Sequence, residues 1–95
     1  MRFCYLIFNS DNGGALAIHS DNSPLRGHKG LYFEGGIRVV GFVNSPLLSP
    51  RVRGTEYRGL MGAADWFPTI VEGVAGGYMR AGVQTDGYNV WDGIR

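Results

Sequence analysis

Residues 3–14 read Phe3-Cys4-Tyr5-Leu6-Ile7-Phe8-Asn9-Ser10-Asp11-Asn12-Gly13-Gly14, an unbroken apolar and aromatic run that stops abruptly at a polar, glycine-rich turn. A strand with one face in water alternates apolar and polar residues. A short continuous run instead reads as a strand buried on both faces. A second run, Ile37-Arg38-Val39-Val40-Gly41-Phe42-Val43, has the same character and follows a Glu34-Gly35-Gly36 turn, with Arg38 its only charge. Two such strands predict an α/β layered sheet with helices as cover.

Working outward, residues 15–33 hold Ser, Asn, Pro, Gly and two histidines with little periodicity. They predict a long loop with a short turn of helix. Loops beyond about 12–15 residues in compact domains are mostly functional or disordered, and the glycine-rich turns at both ends favour function. Asn44 to Gly54 is a second connection, broken by Pro46 and Pro50. A helix follows: Asp65 can cap it, Pro68 suits its first turn, and Phe67, Ile70, Val71 and Val74 recur at helical spacing. Gly76 and Gly77 stop it. Asp86-Gly87 turns the chain into the short segment Tyr88 to Trp91, and Trp66, Phe67 and Trp91 are core candidates. No repeat or boundary divides residues 1–95, so the order strand, loop, strand, helix reads as one domain. Two strands and one helix cannot cover both faces of such a sheet. The expectation is therefore an incomplete piece of a larger domain.

Composition narrows the function. Sixteen glycines in 95 residues, against about seven at average usage, call for tight turns or close backbone approaches. Nine basic and eight acidic residues give a net charge of +1, which leaves no electrostatic footprint for nucleic acid or an anionic membrane. Arg51, Arg53 and Arg58 read as a solvated loop. The single Cys4 has no partner for an internal disulfide and reads as a small buried hydrophobe. The run from Phe3 to Phe8 is too short for a signal-peptide core, and no apolar stretch is long enough to span a bilayer.

Two segments carry candidate chemistry. Asp11 and Asn12, at a strand's carboxyl end, are hard oxygen donors of the kind Ca²⁺ or Mg²⁺ takes. The competing reading is a structural hairpin turn, because Asn-Gly is a strong hairpin signal. Pro24-Leu25-Arg26-Gly27-His28-Lys29-Gly30 sets Arg26, His28 and Lys29 among glycines, an arrangement suited to an anion. His19 and His28 are acid–base candidates only by residue type.

In order, Ser10-Asp11-Asn12-Gly13-Gly14, Pro24 to Gly30 and Glu34-Gly35-Gly36-Ile37-Arg38-Val39 resemble the C-terminal half of the sulfatase catalytic domain. Gly41-Phe42-Val43-Asn44-Ser45-Pro46-Leu47-Leu48 looks most like the arylsulfatase B, I and J group, the N-acetylgalactosamine-4-sulfatase type. Asp65-Trp66-Phe67-Pro68-Thr69 and Asp86 to Trp91 continue the same order, so the resemblance covers nearly the whole chain. It implies an alkaline-phosphatase-like fold, sulfate ester hydrolysis with a sulfated sugar as substrate, and a lysosomal or secreted parent. It also implies a calcium ion bound in part by Asp11 and Asn12, with Lys29 contacting the sulfate and all three side chains facing one cleft.

The departures limit what the resemblance implies. The family's formylglycine precursor motif, C-x-P-x-R, does not occur, since Leu6 and Phe8 follow Cys4 at the proline and arginine positions. The paired N-terminal aspartates are absent too, and Asn89 replaces a common aspartate. The expectation is a fragment holding two metal ligands and one sulfate contact but not the reaction. A phosphate-ester branch of the same superfamily, or a non-catalytic protein keeping part of the fold, are the alternatives.

Overall fold

Strand β1 (Leu6–Asn9) pairs antiparallel with β2 (Gly41–Asn44) in the computed structural model, which describes residues 4–95. The register sets Leu6 against Asn44 and Asn9 against Gly41. One further bond, from Ser10 N–H to the Val40 carbonyl at 2.9 Å, extends the ladder. At the other end Ser45 Oγ donates to the Cys4 carbonyl at 2.7 Å. Phe8 and Phe42 face each other across the pair with ring centroids 5.3 Å apart, a contact worth about 0.2–1 kcal/mol. This sheet belongs to the first of two compact units, Met1–Leu47 and Leu48–Arg95. The described residues form a small α/β piece.

The strands differ from their expected form in length and in burial. Phe3 lies outside the described residues, and Cys4 and Tyr5 precede β1. Ile37 ends a helical turn, α1 (Glu34–Ile37), rather than starting β2. Leu6, Phe8 and Phe42 are 55%, 47% and 47% exposed, so neither strand is buried on both faces. Cys4 is likewise exposed rather than buried. The runs have the composition of doubly covered strands, but the faces of this two-stranded sheet leave these side chains open to solvent.

In the second unit, residues 63–74 wind continuously through three helical forms. A 3-10 turn (Ala63–Asp65) leads into α2 (Trp66–Pro68) and then a π-helical segment (Thr69–Val74). Ala75 N–H reaches the Ile70 carbonyl at 2.9 Å, the wider i to i+5 closure. That widening shifts the buried face away from the one α-helical spacing predicts. Phe67 is 54% exposed, whereas Thr69 is fully buried. Thr69 Oγ1 accepts the Val90 N–H at 3.0 Å and donates to the Tyr88 carbonyl at 3.4 Å. Trp91 opens α3 (Trp91–Ile94) and is core, as its residue type suggests. Gly76 takes a left-handed φ of +64° at the stop.

Asp65 stands at the N-cap of α2, but its carboxylate reaches back to the start of the preceding 3-10 turn rather than forward into the helix. Its Oδ1 accepts the Tyr88 N–H at 2.8 Å and its Oδ2 the Gly62 N–H at 2.7 Å. These bonds, Tyr88's first, hold the carboxyl below its ordinary value of 3.8. The folded chain thus favours the charged form, and the contribution to stability is complete above 3.8. It is lost as pH falls through the lower, folded value. In an acid titration followed by NMR, the Tyr88 amide should shift with a midpoint below 3.8, and Asp65→Asn should abolish that step. A midpoint at or above 3.8 would contradict the linkage.

Candidate functional site

Glycine draws the first unit's motifs together. Gly13, Gly35 and Gly36 are buried, and each lies against backbone from another motif. A Cβ on Gly13 would overlap the Gly35 carbonyl, and one on Gly36 would overlap that of Leu31. A Cβ on Gly35 would press into the carbonyls of Gly27, Arg26 and Leu25. Hydrogen bonds run through the same contacts: Gly13 N–H to Gly36 at 2.9 Å, Gly35 N–H to Arg26 at 2.7 Å and Lys29 N–H to Gly14 at 3.1 Å. Asp11–Gly14, Arg26–Lys29 and Glu34–Gly36 thereby interlock through main chain alone. Part of the glycine excess is explained here, because any side chain at these positions would hold the strands of the knot apart.

Asn22 completes the knot, and the sequence reading missed it. Its Oδ1 accepts the Gly14 N–H at 2.7 Å, and its Nδ2 donates to the carbonyls of Gly14 at 2.9 Å and Gly27 at 3.3 Å. The amide acts as a surrogate strand between two motifs. The available signal was the turn-forming cluster Asp21-Asn22-Ser23-Pro24, which has a cis Ser23–Pro24 bond. Beside it, hydrogen bonds from Ser23 hold the Asp21 carboxyl below its ordinary range.

The Asp11–Gly14 turn is not a hairpin tip. The strand it follows pairs with β2, so the connection runs from Ser10 to Val40, and Gly13 is buried within it. Asp11 Oδ1 accepts the Asn12 N–H at 2.9 Å, while Asn12 Nδ2 donates to the Gly13 carbonyl at 2.9 Å. Among the described residues, that leaves Asp11 Oδ2 and Asn12 Oδ1 with no hydrogen-bond donor. These are two hard oxygens of the right chemistry for calcium, which takes about six to eight. They fit the ion in kind and fall short of its number. Among the described residues, no three His, Cys, Asp or Glu side chains gather as a metal cluster.

Asn12 lines an open cleft of about 520 Å³ with Ser10, Asp21, Asn22 and Arg38. Asp11 and Lys29 are exposed and lie outside its lining, so the three candidate side chains do not share that cleft. Lys29 is joined to the turn through its backbone. Arg26 stacks over Phe33, its Cζ 4.0 Å from the ring centroid. His28 Nδ1 lies 2.8 Å from the Lys29 carbonyl, a contact in which the ring nitrogen is the donor. His19 is exposed, with φ +58°, where the 3-10 turn Leu16–Ile18 ends. In the second unit, Arg58 pairs with Glu56 at 3.0 Å and Arg53 Nε donates to the Leu48 carbonyl at 2.9 Å. No helix among the described residues is long and apolar enough to cross a membrane.

Motif order and similarity to known proteins agree: the chain belongs to the sulfatase family. Over 89 residues, 94% of this chain, it is 47% identical to Arylsulfatase J of Mus musculus. Over 68 residues, 70% of the chain, it is 40% identical to a protein named Sulfatase from Formosa agariphila. The chain spans 14% and 12% of those relatives' lengths. No family model matches it.

Proposed function

We propose that this chain supplies the calcium- and sulfate-binding side of an arylsulfatase catalytic domain of the B, I and J type, with an alkaline-phosphatase-like fold and a sulfated sugar as substrate. The observation that carries the reading is the glycine interlock. Lys29 N–H bonds to Gly14, just beyond the Asp11–Asn12 pair, so the metal and sulfate motifs share one set of main-chain bonds. In this reading Asp11 Oδ2 and Asn12 Oδ1 are calcium ligands, and the Lys29 ammonium takes a sulfate oxygen. Calcium, when bound, supplies positive charge to a transferring sulfuryl group. The ammonium adds a second fixed charge beside it. No residue of this chain is assigned the covalent step, because the nucleophile motif does not occur in it. Both relatives carry sulfatase names, and neither favours the phosphate-ester alternative.

Titration of the 95-residue chain with calcium and with inorganic sulfate, followed by NMR, tests the assignment. Calcium should bind weakly, with Kd on the order of millimolar, and shift the Asp11 and Asn12 signals. Asp11→Asn should remove that response. Lys29→Ala should spare calcium binding and remove the sulfate response. Micromolar calcium binding, or shifts centred elsewhere, would overturn the ligand assignment.

A further inference from the structure

Of the five asparagines in the sequence, Asn12 alone is followed by glycine; Asn9, Asn22, Asn44 and Asn89 precede serine or valine. An Asn-Gly pair is open to attack on its own side chain, because glycine places no Cβ in the way of its nitrogen. In that reaction the Gly13 nitrogen bonds to Asn12 Cγ and the Cγ–Nδ2 bond breaks. Ammonia leaves with the proton that Gly13 gave up, and a cyclic imide remains. Water opens this ring at one carbonyl or the other, giving aspartate or isoaspartate at position 12. Water is the only added reactant.

The fold engages both groups that react. Gly13 N–H, the nucleophile, is buried and donates to the Gly36 carbonyl at 2.9 Å. Asn12 Nδ2, the leaving group, donates to the Gly13 carbonyl at 2.9 Å. The Gly35 carbonyl packs against Gly13 and limits its rotation. The Asn12 carboxamide itself is only half-buried and lines the open cleft, so water reaches it. Protection therefore rests on the nucleophile and not on the side chain.

We propose that Asn12–Gly13 is a modification site latched by the glycine interlock. Closed, it keeps its amide; open, it converts spontaneously to aspartate or isoaspartate. Isoaspartate carries the main chain through Cβ and Cγ, adding an atom to a turn whose backbone contacts have no room for one. The opened interlock then cannot close again.

The 95-residue chain, Gly35→Ala, Asn22→Ala and Gly62→Ala are incubated in mildly alkaline buffer, each beside a sample unfolded in guanidinium. Peptide mass spectrometry follows aspartate and isoaspartate at position 12, and NMR follows hydrogen exchange at the Gly13 amide. The folded chain should be modified at least about tenfold more slowly than its unfolded sample, which requires an opening free energy of only about 1.4 kcal/mol. Gly62→Ala should match it. Gly35→Ala should approach the unfolded rate. Asn22→Ala removes the amide that ties Gly14 to Gly27 without adding bulk, and should fall between the two. Across the four proteins, modification should rise in step with exchange at Gly13. Equal rates in the folded and unfolded samples of the unsubstituted chain would overturn the latch. So would fast Gly13 exchange in Asn22→Ala or Gly35→Ala with no faster modification.

Discussion

Gly35→Ala should dissolve the interlock of the first unit, abolishing amide-exchange protection at Gly13, Lys29 and Gly35 together. The added methyl would sit 2.8 Å from the Arg26 carbonyl oxygen and 2.9 Å from that of Leu25, with the Gly27 carbonyl closer still. All three obstacles are main chain and cannot rotate away. Relief requires the 25–27 segment to move off, which breaks the 2.7 Å bond from Gly35 N–H to Arg26 and strains the neighbouring bond between Gly13 and Gly36. Overpacking plus one lost and one strained backbone bond amounts to about 2–4 kcal/mol. That is a large share of the stability of a chain this small, at roughly 0.05–0.15 kcal/mol per residue. On the proposed assignment, the calcium and sulfate responses should vanish with the protection. Gly62→Ala serves as the control, because a Cβ there meets only Asp65 Oδ2, at an ordinary 3.7 Å. If Gly35→Ala kept its three amides protected, the motifs would not be held by close glycine contact.

Trp91→Ala should unfold the second unit. Trp91 is 5% exposed and packs on Gly73, where a Cβ would stand 2.6 Å from the indole Cγ. Its N–H bonds to Asn89 Oδ1 at 3.0 Å, which shapes the approach to α3. Deleting a buried tryptophan side chain costs about 3–5 kcal/mol, from lost transfer energy and the cavity left behind. Alongside it, Thr69 bridges Tyr88 and Val90 with its hydroxyl, so movement of the 88–91 segment would also leave a buried hydroxyl without partners. The expected result is collapse of the Thr69 and Val90 amide dispersion, with Trp91→Phe recovering part of it. Retained dispersion and an unchanged unfolding midpoint in Trp91→Ala would show that the core lies elsewhere.

Several features were legible from local chemistry. The apolar run Phe3 to Phe8 did hold a strand, Leu6–Asn9, followed by a turn, and Glu34-Gly35-Gly36 did turn the chain. Gly76 did close the helical stretch with a left-handed φ, and Trp91 did prove to be core. Each follows from side-chain bulk or backbone freedom within a few residues. The candidate site was legible only as three motifs in family order, because nothing in Asp11-Asn12-Gly13-Gly14 itself separates a metal turn from a hairpin.

Tertiary structure decided what those local signals left open. Strand length followed from where the partner's register ends, at Asn9 opposite Gly41, and not from the apolar run. Strand burial depends on neighbours, and two strands alone leave Leu6, Phe8 and Phe42 in solvent. Residues 69–74 became a π segment around a fully buried Thr69, although their spacing suits an α-helix. The reason that Gly13, Gly35 and Gly36 must be glycine is carbonyl oxygens contributed by residues far along the chain. Sequence alone determined the order and residue types of the motifs and, through them, the family. Only folding determined which backbones meet, because contact between residues distant in sequence is set by the packing of the whole unit and leaves no local trace.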